Sequence, residues 1–212
     1  MERHALLFRH GEPVDDGKDI CRGRGIDAPL SPTGLWQTQK NIDELRERFH
    51  SRDLHRALVV TSPLQRASKI GELLHEQLGI EFVRDEAFVD IDVGDWEGRS
   101  WDDIQALWPD DHELCFTDAL RMKLPGGESI EAFRDRTIAA WQHWTREAQK
   151  KLLIFGLHRC ANKVILSHVD GRVLHFKGQP VGCMNHLKET NSRWGVVGGV
   201  QILYASAEAA TA

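Results

Sequence analysis

Three apolar runs in this chain end on side chains that are costly to bury alone. Ala5 to Phe8 runs into Arg9 and His10 before Gly11 breaks it. Leu152 to Leu157 runs into His158 and Arg159, and Ala57 to Ser62 ends in Thr61 and Ser62 with Arg66 following in "SPLQR". Any one such ending reads as a strand leaving the core. Together they carry a chemistry. In a parallel sheet the carboxyl ends of the strands lie along one edge, so the three sets of side chains can converge there. Two imidazoles and at least two guanidiniums form a pocket for a multiply charged oxyanion. Arginine offers phosphate a bidentate fork, and a helix starting near Ser62 adds its partial positive charge.

The elements that would position these groups follow from the pattern. The runs 5–8, 57–62, 152–157 and 199–204 read as buried strands, with a weaker one at 80–83. A helix is predicted from the N-cap Ser31 and Pro32 to Phe49, with Leu35, Ile42 and Leu45 on one face. A second starts at Ser62 and Pro63 and stops at Gly79, a third runs from Ser129 to about Ala148, and a fourth begins after His158. Strands alternating with helices predict an α/β fold, a three-layer α/β/α sandwich with a largely parallel central sheet. Residues 1–205 are expected to form a single domain. Within it, 85–128 is rich in Asp, Trp, Gly and Pro and reads as an irregular, lid-like excursion over the strand ends. The tail 206–212 reads as disordered.

Composition narrows the class of partner. The net charge of -5 on 212 residues gives no reason to expect nucleic acid or an anionic membrane, so a cationic pocket must be local. The four cysteines, Cys21, Cys115, Cys160 and Cys183, form no CxxC pair and read as reduced thiols of a cytoplasmic protein. No signal peptide or membrane-spanning run is evident. The histidines lack HExxH spacing and the acidic stretch 85–95 lacks a calcium-loop pattern, so no metal and no cofactor is expected.

Six ordered stretches resemble the histidine phosphatase superfamily, the phosphoglycerate-mutase-like proteins. "LLFRHGEP" resembles its RHG signature, "DAPLSPTG" (27–34) its D-x-x-L-S-x-x-G segment, and "TSPLQRA" (61–67) its S-P-L-x-R-A box. "VGDWEGRSWDDI" (93–104), "PGGES" (125–129) and the stretch 152–171 around His158 complete the set. The stretches "GRGIDAPLS" and "VGDWEGRSWDDI" look nearest to the branch of α-ribazole phosphatase and related broad-range phosphatases.

The resemblance implies a metal-independent phosphomonoesterase acting on a small phosphorylated metabolite. His10 would be the nucleophile that forms a phosphohistidine, and neutral imidazole suits that task near pH 7. Arg9, Arg66 and His158 would hold the phosphoryl oxygens, and an acid must protonate the leaving alkoxide. The family places a glutamate at that position. Here counting back from Trp96-Glu97-Gly98 gives Asp90, one methylene shorter. Asp92 competes, because alternation along an extended segment puts both on one face. Arg159 stands where the family has glycine, either pointing away or contacting an anionic part of the substrate. Arg22 and Arg24, in "CRGRGID", are candidates for gripping a second anionic group. His168 is expected to be structural. Trp96, Trp101 and Trp108 are read as lid core in preference to pocket wall, and Ile70, where the family often has threonine, costs a hydrogen bond. A cofactor-dependent phosphoglycerate mutase and a non-catalytic phosphate-binding module are the competing functions. A homodimer is the assembly left open.

Overall fold

The computed structural model describes residues 2–14, 19–148 and 150–197. Its sheet has the strand order β3-β2-β4-β1-β5-β6, formed by β1 (Arg3–Arg9), β2 (Leu58–Thr61), β3 (Glu81–Arg84), β4 (Leu152–Leu157), β5 (Met184–Thr190) and β6 (Arg193–Val196). The four strands β3, β2, β4 and β1 run parallel, and β5 and β6 add antiparallel at one side. The strand predicted at 199–204 and the tail lie outside the described residues. β5 and β6 went unrecognised in the sequence. "MNHLKET" is mostly polar and "RWGV" begins on Arg193, as a strand pair near a sheet margin can be.

The central strands are apolar on both faces because both faces are covered. Ala5 and Leu7 of β1 join one core cluster, with Phe133 and Trp141 of α6 (Ile130–Glu147) and Val164 and Ile165 of α7 (Arg159–Asp170). Leu6 and Phe8 point the other way. They pack with Ile42 and Leu45 of α1 (Pro32–Arg48), and with Ile70 and Leu74 of α3 (Gln65–Leu78). Each such fully buried side chain stabilises the fold by about 1.5–3 kcal/mol before entropy is counted. The result is the expected α/β/α sandwich. Ile70, buried against the sheet, needs no polar partner there.

Helix starts match the sequence with one correction. Ser31 caps α1 by accepting from the Gly34 amide, and Ser129 caps α6 by accepting from Ala132. The third helix begins at Gln65, later than Ser62, and its first amide is capped from outside by Asp27 at 2.8 Å. The short helix α2 (Ser51–Leu54) leads into β2. The excursion 85–128 is more ordered than its composition suggests. It contains α4 (Trp101–Leu107) and α5 (Pro109–Thr117), with 3-10 turns at Glu86–Phe88, Gly94–Trp96 and Ala119–Arg121. Trp96 is buried within it, with Trp101 and Trp108 at 6.5 and 6.3 Å between ring centroids. Among the described residues no helix is long and apolar enough to cross a membrane.

Candidate active site

β1 and β4 are neighbours in register, Arg9 opposite Leu157, so His10 and His158 leave the sheet side by side. The His10 amide donates to the Leu157 carbonyl at 3.1 Å, and the two imidazoles stand 5.3 Å apart between centroids. Gly11 then turns the chain against the start of α1. A Cβ there would lie 2.4 Å from the Gly34 carbonyl oxygen, and one on Gly34 would meet the Glu12 carbonyl at 2.0 Å. The two backbones touch, which is why both motif glycines are needed.

His10 Nδ1 lies 2.8 Å from the Gly11 carbonyl oxygen. A carbonyl can only accept, so Nδ1 carries the proton and Nε2 keeps the lone pair. Burial, followed by the positive charges of Arg66 and Arg9, holds the His10 pKa well below the ordinary imidazole value. His158 is buried and shifted the same way, by burial first and then by Arg66 and Arg9. Its Nε2 lies 2.8 Å from Ser62 Oγ, which also accepts from the Leu64 amide at 3.3 Å ahead of α3.

Arg66 is fully enclosed at the first turn of α3. It donates to the carbonyls of Ile26 at 2.8 Å and Gly23 at 3.0 Å, and to Asp90 Oδ2 at 3.1 Å. The same carboxylate oxygen lies 3.2 Å from His158 Nδ1. Arg9 donates to the Gln179 carbonyl, while its buried Nε has no partner. Arg9, His10, Arg66 and Asp90 line one cavity of about 230 Å³, with Arg22 and Arg159 in its wall.

Asp90 and Asp92 part company because residues 90–93 are not an extended strand. Asp90 is buried in the cavity wall. Asp92 turns outward to accept from the Gly94 amide and to pair with Arg24 at 2.7 Å. Arg24 is therefore engaged away from the cavity and does not join the other arginines. His168 sits in the last turn of α7 and borders a groove with Trp141 and Trp194, remote from His10. Trp101 is split between the two roles considered for it, packing in the lid and lining the cavity.

Four supporting residues were given no site role in the sequence reading. Ser62 holds His158, and Gln179 holds Arg9 while bonding Asn185 through its side chain. Glu97 accepts from the Gly23 and Gly25 amides at 2.8 and 3.2 Å and so shapes the loop that receives Arg66. Arg136 of α6 donates to the carbonyls of Ala87, Val89 and Asp90, and is clamped by Glu128. For Glu97 a signal existed, its place in the W-E-G triplet. Among the described residues no group of three or more histidine, cysteine or carboxylate side chains could hold a metal ion.

Known proteins share this chain's sequence profile and fold. Residues 5–199 match the sequence profile of the Histidine phosphatase superfamily (branch 1). The chain is 24% identical over 190 residues to the uncharacterized phosphatase PhoE of Bacillus subtilis (strain 168), covering 89% of each. It is also 24% identical over 181 residues to a 2,3-bisphosphoglycerate-dependent phosphoglycerate mutase of Mesorhizobium japonicum, covering 81% of this chain and 84% of the other. In fold it is similar to the α-ribazole phosphatase of Shigella flexneri, with a TM-score of 0.73 at 18% identity over 92% of this chain and 94% of that one.

Proposed function

We propose that this chain, which belongs to the Histidine phosphatase superfamily (branch 1), is a phosphomonoesterase acting on a small phosphorylated metabolite through a phosphohistidine on His10. One observation carries the reading: His10, Arg9, Arg66 and Asp90 face a single cavity, with His158 beside His10. In the first half-reaction His10 Nε2 attacks phosphorus, the P–N bond forms, and the P–O bond to the alcohol breaks. Asp90 relays a proton to the departing oxygen. In the second, water attacks phosphorus, Asp90 takes its proton, and phosphate leaves with His10 restored. Arg9, Arg66 and His158 hold the phosphoryl oxygens, and the two guanidiniums supply the fixed positive charge that a metal supplies elsewhere. The four free thiols fit a cytoplasmic setting.

Incubation of the chain with p-nitrophenyl phosphate and EDTA is expected to release nitrophenol. His10→Ala is expected to abolish both turnover and the acid-labile phosphoenzyme. Activity that EDTA removes would overturn the metal-free step. A mutase, the reading favoured by the second relative, would instead need bisphosphoglycerate priming and would move phosphoryl groups between phosphoglycerates. A binding module would hold phosphate without turnover.

A further inference from the structure

Behind the phosphoryl position the cavity wall is shared with a second space. Trp101, Arg159 and Cys160 line the His10 cavity and, with Arg22, also border a small recess of about 30 Å³. The rest of that recess is apolar, with Ile91, Trp96, Cys115 and Phe176 among its lining. Its thiols are unreactive by position: burial pushes Cys21 up to about 12 and Cys115 up to about 11.

Arg159 is the residue out of keeping with its surroundings. Its guanidinium lies 5.3 Å from the Trp101 ring centroid, and its Nε is buried with no hydrogen-bond partner. Among the described residues no carboxylate pairs with it. Of the neighbouring cations, Arg66 meets Asp90 and two carbonyls, and Arg9 meets the Gln179 carbonyl while its Nε stays unpartnered. Burial, and after it the charge of Arg159, pushes Arg9 down to about 10. An unpaired guanidinium beside like charges is costly unless an anion arrives to meet it.

We propose that Arg159, stacked on Trp101, is a specificity-determining residue that receives a second anionic group carried by the leaving alcohol. Its stem also closes the apolar recess against aromatic leaving groups. This rests on the phosphomonoesterase reading and names the substrate class, a small phosphomonoester with a further carboxylate or phosphate a few atoms away.

Two esters of equal carbon count separate charge from size: phosphoglycolate, with a carboxylate, and ethyl phosphate, without one. Calorimetry on the wild-type chain is expected to show phosphoglycolate bound about tenfold tighter, the low end for a charge-assisted hydrogen bond. Ethane-1,2-diol bisphosphate distinguishes a second phosphate from a carboxylate. Arg159→Gln keeps most of the stem and is expected to remove most of the preference, while Arg159→Lys retains part of it. Arg159→Ala opens the recess and is expected to raise kcat/KM for 1-naphthyl phosphate relative to ethyl phosphate. An equal preference in wild type and Arg159→Gln, or none in the wild type, overturns the inference. If Arg159→Gln does not fold, the wild-type ratio and Arg159→Lys decide. If none of these esters releases phosphate, the phosphatase reading fails, while the binding ratio still reports on Arg159.

Discussion

A histidine that is to attack phosphorus must keep a lone pair and avoid protonation, and His10 is arranged for both. The Gly11 carbonyl fixes the proton on Nδ1, while burial with Arg66 and Arg9 lowers the pKa. The folded chain therefore binds fewer protons at His10 than the unfolded chain once the pH falls below about 6.5, the unfolded imidazole value. Stability contributed by this site is present above that value and is lost as pH falls through the window beneath it. Urea unfolding at pH 5 and pH 7.5 is expected to show the wild type weaker at the lower pH. The difference should shrink in His10→Gln, and an equal difference in both would refute the assignment. Asp90→Asn is expected to slow turnover of esters with poor leaving groups about 10²–10⁴-fold, and good ones much less, as a leaving-group series would show. Asp92→Asn should cost little, because Asp92 is spent on Arg24 and the Gly94 amide. The charged residues at the strand exits were legible in the sequence because strand, turn and motif all announce them. The separation of Asp90 from Asp92 was not, since it depends on a local backbone that alternation misdescribes.

At the level of elements, the site depends on close contacts between backbones that belong to different motifs. Gly34 against the Glu12 carbonyl is the tightest near His10, and Gly11 against Gly34 is nearly as close. Gly11→Ala is expected to lower stability by about 1–3 kcal/mol and to displace His10, seen as a lower denaturant midpoint together with lost turnover. Arg136 acts at a distance, tying α6 to the carbonyls of Ala87, Val89 and Asp90. Arg136→Met should lower kcat with the same leaving-group dependence as Asp90→Asn and leave KM nearly unchanged, with Lys restoring part. A uniform loss across leaving groups would mark Arg136 as merely structural. The strands and helices lining both faces were readable from continuous apolar runs and caps. β5 and β6 were not, because their polar composition resembles a loop, and the start of α3 was misplaced because its cap, Asp27, comes from another segment.

For the whole molecule, the contrast is between an acidic surface and a cationic interior site. With a net charge of -5, the chain gathers Arg9, Arg22, Arg66 and Arg159 around a single cavity, four guanidiniums against the carboxylates of Glu12, Asp19 and Asp90 in the same wall. Field lines focused there favour small anions over extended polyanions. KM for a phosphomonoester is accordingly expected to rise with salt as the cavity is screened, and a salt-independent KM would contradict that picture.

The adjacency of β1 and β4 bears on how the protein acquires its activity during folding. His10 and His158 lie 148 residues apart in the chain and meet only when those two strands pair. Closing so long a loop is entropically late, because its cost precedes any contact that rewards it. Secondary structure and local helix packing should therefore recover first on dilution from urea. Phosphate release should return only with the slowest phase, which makes turnover a clock for completion of the central sheet.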